Sequence, residues 1–206
     1  MYRSRGFYPM LAPIYPLLAQ QYVDDYALER GVALDIGTGP GYLGVELAKI
    51  TDMAIYFVDI SEEALDKARE LFSSSEADNE ARFICADVRA LPFTDGFADF
   101  IMSRGSLWFW EAPEEGLADI HRVLKPGGVA VVGGGLGRYI PASMRERIVR
   151  VNREHRERGG ERCPCFRDFA NLITPELMER AGVETYRMLM EDPEGHSGKW
   201  VEIRKE

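Results

Sequence analysis

The 206-residue chain carries 34 acidic against 25 basic side chains, a formal charge of -9, and 46% hydrophobic residues. That balance argues against general nucleic-acid binding, which draws most of its affinity from neutralising phosphates, and no apolar run approaches the roughly 20 residues needed to span a bilayer. The length suits a single domain, 1–206, with a substantial core, and is too short for two nucleotide-sized halves plus a separate substrate domain.

The opening MYRSRGFYPM lacks the apolar stretch of a secretory signal. Residues 10–30 have apolar groups at helical spacing from Leu17 through Tyr22 and Tyr26, with Pro13 and Pro16 interrupting the start, and predict a lead-in helix. The nearby aromatics Tyr2, Phe7, Tyr8 and Tyr15 suit either a lid over a pocket or an ordinary terminal arm.

Then comes ALDIGTGPGYLGVELA at 33–48, a buried strand over 32–36 running into a glycine-dense turn and a helix that begins near Gly41 or Tyr42. Glycine at 37, 39 and 41 permits positive φ and close approach of a ligand to the main chain. Asp35 lies at the carboxyl end of the strand, where open parallel sheets place their ligands. Gly39, Gly41 and Gly44 also satisfy GxGxxG, with Asp59 twenty residues beyond Gly39, so a nicotinamide or flavin site is open at this point.

A second strand over 54–58 ends in Asp59, and Ser61 caps a helix with Glu62 and Glu63 in its first turn and a stripe of Ala64, Leu65, Ala68, Leu71 and Phe72. A third strand over 82–85 ends near Asp87, and a fourth over 97–102 follows the Asp95-Gly96 turn. Pro113 starts a helix closed by LKPGG at 124–128, and 129–132 is the fifth strand. Gly133, Gly134 and Gly135 then suggest a loop forming a pocket wall.

Ser143 and Glu146 predict a capping box for a helix that buries Met144, Ile148 and Val151. Nine arginines against four glutamates over 138–167 make a basic element, either a solvated helix face or a rim toward an anionic substrate. Cys163 and Cys165 form a CxC, and the three histidines, His121, His155 and His196, show no ligand spacing, so no metal is expected. With only Cys85 besides, the cysteines make no disulfide framework and fit a reducing cytoplasm. Thr174-Pro175-Glu176 starts a last helix that Gly182 stops, and strands over 185–190 and 199–204 are joined too closely for a crossover, so they form an antiparallel hairpin. The alternation predicts an α/β, doubly wound, mostly parallel sheet of seven strands with a C-terminal antiparallel hairpin.

In order and at ordinary spacing, LDIGTGPG at 34–41, VDIS at 58–61, CADVRALPF at 85–93, FADFIMSRGSLWFW at 97–110, LKPGG at 124–128 and the closing hairpin resemble the class I S-adenosylmethionine-dependent methyltransferases. The resemblance covers almost the whole chain from Val32 onward and displaces the nicotinamide reading. It implies a Rossmann-like methyltransferase fold with a lead-in over 1–30, a cofactor-binding core over 31–136, and substrate-side helices and hairpin over 137–206. It also implies S-adenosyl-L-methionine as cofactor. Gly37, Gly39 and Gly41 would pass its amino acid end, Asp35 would meet the ammonium, and Asp59 would accept from both ribose hydroxyls. Ile60 would lie on the adenine, Asp87 would accept from its amino group, and the Val88 amide would donate to a ring nitrogen. Ser103 would sit by the methionine portion, and Arg104 would bind its carboxylate or the substrate. SRG at 103–105 departs from relatives that place an acid, amide or proline after this strand, which puts DNA-base and protein-amide acceptors in doubt.

The expected acceptor is a small molecule, anionic or aromatic, met by Trp108, Phe109, Trp110, Arg138 and Tyr139 beyond strands four and five, where the aromatics suit equally a stacking surface or a wedge beneath the following helix. Glu111, Tyr139 and His196 are base candidates by position alone. The alternatives are a module that binds the cofactor or its demethylated product without transfer, and, less favoured, a dinucleotide oxidoreductase.

Overall fold

The computed structural model describes residues 11–157, 172–190 and 198–206. Among them are the strands β1 Arg30–Ile36, β2 Asp52–Asp59, β3 Ala81–Cys85, β4 Ala98–Arg104, β5 Leu124–Gly135, β6 Tyr186–Met190 and β7 Gly198–Arg204. They form a seven-stranded sheet in the order β3-β2-β1-β4-β5-β7-β6. β1 to β5 pair in parallel, while β7 runs antiparallel between β5 and β6. The helices are α1 Ile14–Tyr26, α2 Tyr42–Ala48, α3 Glu62–Ser73, α4 Pro113–Val123, α5 Ala142–Glu157 and α6 Pro175–Arg180. The doubly wound sheet and antiparallel ending expected from the sequence are both present.

Period-two alternation along the strands makes two cores. Ala33, Ile55, Phe57, Phe100, Met102, Val129 and Val131 face α1, α2 and α3, and the intervening Leu34, Ile36, Val58, Ile101, Ala130 and Val132 face α4 and α6. Full burial of a residue such as Phe57 or Phe100 contributes about 2–3 kcal/mol. Phe57 stacks on Phe83 at 4.8 Å and meets Phe72 of α3 edge-on at 5.8 Å, which fixes that helix over β2 and β3. Tyr22 does the same for α1, its ring 5.4 Å from that of Phe100.

Helix starts follow the local chemistry. Ser61 accepts from the Ala64 amide at the head of α3, and Thr174 accepts from that of Leu177 at the head of α6. The expected capping box does not form: the amides of Met144 and Arg145 both donate to the Pro141 carbonyl, so α5 begins before Ser143 and that residue lies within the first turn. The triple glycine is a second correction. It is strand rather than loop, with Gly133, Gly134 and Gly135 paired to Trp200, Lys199 and Gly198 of β7. A Cβ at Gly133 would fall 2.4 Å from the Lys199 carbonyl oxygen, so glycine here admits a neighbouring strand.

Because β1 to β4 are parallel, Asp35, Asp59, Ser103 and Arg104 come to one edge of the sheet. No described helix is long and apolar enough to cross a membrane.

Candidate active site at the carboxyl edge of the sheet

The glycine turn is pinned to β2, since the amides of Gly37 and Thr38 donate to the Val58 carbonyl at 2.8 and 3.1 Å. Gly37, Gly39 and Gly41 take φ of 65°, 55° and 82°, a region that disfavours other residues. Their surroundings differ. A Cβ at Gly37 would strike Ser106, and one at Gly41 would press on Ala68, whereas one at Gly39 would meet nothing within 4 Å. Gly37 and Gly41 therefore make room for protein, and Gly39 is the one that borders open space.

Asp35 is buried under the turn, and its Oδ2 accepts from the Thr38 hydroxyl at 2.7 Å and the Gly44 amide at 3.1 Å. No described residue donates to Oδ1. Burial pushes this carboxyl up to about 6, against the pull of the Thr38 and Gly44 bonds, and the nearby Asp59 charge adds to the rise.

Asp59 bridges the turn and the head of α3. Its Oδ2 accepts from the Gly39 amide and its Oδ1 from the Ser61 amide, both at 2.9 Å. Each oxygen keeps a second lone pair for a ligand. Ile60 beside it is 70% exposed, a large apolar surface that the fold itself does not bury.

Asp87 is more fully engaged. Arg89 donates to it through its amide at 2.9 Å, through Nε at 3.1 Å to each oxygen, and through Nη2 at 2.6 Å, while Arg89 Nη1 reaches Glu111 at 3.2 Å. The bonds from Arg89 hold the Asp87 carboxyl below its ordinary range. An incoming amino group must therefore compete with a guanidinium for Asp87. Val88 is buried in the short helical turn Val88–Ala90 that follows.

Ser103 is fully buried and its Oγ lies 2.5 Å from that of Ser106, whose hydroxyl also donates to the Ile36 carbonyl at 3.4 Å. It braces β4 to the end of β1 from behind the edge. Arg104 donates through Nε and Nη2 to the Gly135 carbonyl, and through Nη1 to the Tyr15 hydroxyl at 3.4 Å. Its guanidinium stands 5.1 Å over the Tyr15 ring, which stacks 5.2 Å from Tyr42 at the head of α2.

The tryptophans are wedges. Trp108 covers the bare face of Gly134 and Trp110 lies against Gly116 of α4. Phe109 between them is 55% exposed. Arg138 is ion-paired with Asp25, its amide donates to Gln21 at 2.7 Å, and the Tyr139 hydroxyl donates to Asp24 at 2.6 Å. These two side chains tie the strand-five end to α1. Glu111, held by Arg89, is largely exposed. Tyr2, Phe7, Tyr8, Cys163, Cys165 and His196 lie outside the described residues, and among those described no cluster of His, Cys, Asp and Glu could hold a metal.

Thr38, Tyr42 and Arg89 join the site without having been singled out for it, whereas Tyr15 was among the aromatics that suited a lid or a terminal arm.

A family model for a methyltransferase domain matches residues 34–132. The fold superposes with a TM-score of 0.79 on a candidate S-adenosyl-L-methionine-dependent methyltransferase of Methanococcus maripaludis, at 29% identity over 95% of this chain and 87% of that one. The methyltransferase domain and the fold together support assignment to the class I S-adenosylmethionine-dependent methyltransferases. A SAM-dependent methyltransferase of Aquifex aeolicus shares the fold with a TM-score of 0.64, at 18% identity over 90% and 88% of the two chains. Among curated relatives, the mitochondrial arginine-hydroxylase NDUFAF5 of Mus musculus is 41% identical over 110 residues, 53% of this chain and 30% of that protein. The malonyl-[acyl-carrier protein] O-methyltransferase of a Marinomonas strain is 33% identical over 104 residues, 50% and 37% respectively. The chain thus spans about a third of the length of the curated relatives it matches. Family and fold imply S-adenosyl-L-methionine as the cofactor.

Proposed function

We propose that this methyltransferase moves the methyl group of S-adenosyl-L-methionine to a small-molecule acceptor in the cytoplasm. The observation that carries the reading is the clamp at Asp59: a carboxylate fixed by the Gly39 and Ser61 amides, beside the open side of Gly39 and the bare face of Ile60. That donor set fits an adenosyl sulfonium. Asp59 can take ribose hydroxyls on its remaining lone pairs, Ile60 offers a flat apolar seat to adenine, and Asp87 can accept an amino group in exchange for Arg89. Buried Asp35, with Oδ1 unclaimed by described residues, gains most from a cationic ammonium. Gly37 and Gly41 shape the turn, Val88 supplies an amide, and Ser103 supports the methionine end from behind.

The bound cofactor supplies an already electrophilic sulfonium methyl. The work left to the chain is to align an acceptor lone pair behind that carbon and to exclude water, which is worth several kcal/mol. Arg104, Phe109 and the α1 clasp at Arg138 and Tyr139 border the acceptor side, with Trp108 and Trp110 supporting it. Glu111 is tied to Arg89 and the Tyr139 hydroxyl is a donor to Asp24, which raises its pKa, so neither is poised to take a proton. The reading needs no general base from the described residues.

Incubation with methyl-labelled cofactor and a metabolite extract should place label in a small molecule, and Asp59→Ala should abolish it. A chain that binds cofactor yet labels nothing across varied extracts is a binding module instead. One observation favours checking a second chemistry: the NDUFAF5 relative is named for hydroxylation. Mass spectrometry of the products separates a gained methylene from a gained oxygen.

A further inference from the structure

We infer that Arg104 is a carboxylate anchor and that the acceptor is a small organic acid held by it. The inference rests on the methyl-transfer reading above and names the substrate class of that site.

The guanidinium is positioned without being neutralised. The Gly135 carbonyl takes two of its N–H bonds and the Tyr15 hydroxyl a third, and the Tyr15 ring lies under its face. All of these partners are uncharged. Three of five donors are accounted for, leaving one N–H on each terminal nitrogen, enough for a two-point bond to a carboxylate. Among the described residues no acid reaches Arg104, in a chain with 34 of them. By contrast, Arg89 and Arg138 at this edge are ion-paired, Arg89 with Asp87 and Glu111 and Arg138 with Asp25. A half-buried cation kept in place by neutral groups favours an anion that comes from outside the fold.

The direction of its bonds favours the acceptor over the cofactor as the source: Arg104 ends β4 and is tied to the end of β5 and to Tyr15 of α1, on the side away from the β3 end where Asp87 lies. The alternative source of the same chemistry is the carboxylate on the cofactor's own methionine moiety, and the experiment separates the two.

Wild type, Arg104→Gln and Arg104→Lys are compared in three measurements. In a thermal shift assay on protein saturated with S-adenosylhomocysteine, benzoate should raise the melting temperature of wild type, partly that of R104K and not that of R104Q, and benzamide should raise none. In calorimetry, S-adenosylhomocysteine should bind wild type and R104Q within about twofold of each other. With labelled cofactor, wild type should label an untreated metabolite extract and fall at least tenfold on an extract whose carboxylates have been amidated. The anchor is overturned if benzoate stabilises R104Q as well as wild type or stabilises neither. It is overturned likewise if R104Q loses tenfold or more in S-adenosylhomocysteine affinity, which assigns the residue to the cofactor, or if amidated extract labels equally. A chain that binds benzoate through Arg104 but labels nothing sinks methyl transfer alone.

Discussion

The two halves of the sheet edge are held in different ways. At β1 to β3 each carboxylate is set by its own neighbourhood: Asp35 by Thr38 and Gly44, Asp59 by Gly39 and Ser61, Asp87 by Arg89. At β4 and β5 the partners come from far along the chain. Arg104 leans on Tyr15, Arg138 on Asp25 and Tyr139 on Asp24. Local fixation suits an invariant ligand that every turnover must seat the same way. Fixation through α1 makes the proposed acceptor half depend on the seating of one helix, so it can change without disturbing the first half.

The contrast is broken most sharply at Asp59. Asp59→Ala removes the charge-assisted bonds of Gly39 and Ser61 together with the proposed ribose acceptors, so calorimetry with S-adenosylhomocysteine should show a loss of at least about 100-fold. An undiminished affinity would place the adenosyl group elsewhere.

Asp35→Asn should split stability from binding. The folded-state pKa is raised to about 6, so the folded protein holds its proton more tightly than the unfolded chain does. Stability from this group is greatest below about pH 4, falls as pH rises through 4 to 6, and the full cost is present above 6. Urea unfolding at pH 8 should therefore find Asp35→Asn more stable, by up to about 3 kcal/mol, with the advantage vanishing near pH 4. If ionised Asp35 meets the ammonium, wild-type cofactor affinity should climb through pH 6 and that of the variant should stay flat.

The long-range ties have their own test at Glu202, a buried acid of β7 that accepts from Tyr26 of α1 at 2.9 Å, from Arg187 at 2.7 Å and from Arg204 at 2.9 Å. Burial pushes its carboxyl up, but these bonds outweigh it and hold the net pKa down, so its contribution is present at neutral pH and is lost as pH falls through the folded value. Glu202→Ala should cost about 2–4 kcal/mol in urea unfolding, because three donors lose their acceptor. Arg138→Ala breaks an exposed pair and should cost no more than about 1 kcal/mol, with the cofactor affinity unmoved. Smallest of all, Arg89→Ala should tighten S-adenosylhomocysteine a few-fold by removing the competitor for Asp87; weaker binding would mean that Arg89 orients the acid.

What could be read from the residues follows the same division. The glycine turn, the Asp59 and Ser61 pair and the antiparallel hairpin are short-range patterns in which spacing carries the geometry. Tyr15 over Arg104 joins residues 89 positions apart and Tyr26 to Glu202 joins residues 176 apart, and no periodicity announces such a contact. The triple glycine was misread for the same reason. Its meaning lies in Lys199 and Trp200, which pair with it only once β7 is in the sheet. The tryptophans suit a stacking surface or a wedge in sequence, and the fold supplies Gly134 and Gly116 beneath them, which makes them wedges. Ser143 had the right spacing for a cap, but Pro141, whose ring cannot donate, took the first helical bonds on its carbonyl.

The place of β7 has a consequence for biosynthesis. The sheet's interior slot between β5 and β6 is filled by the strand that leaves the ribosome after all the others, so a nascent chain stalled short of it presents the naked rim of β5, glycines included, to any passing extended peptide. Translation must run through β7 before this rim is capped.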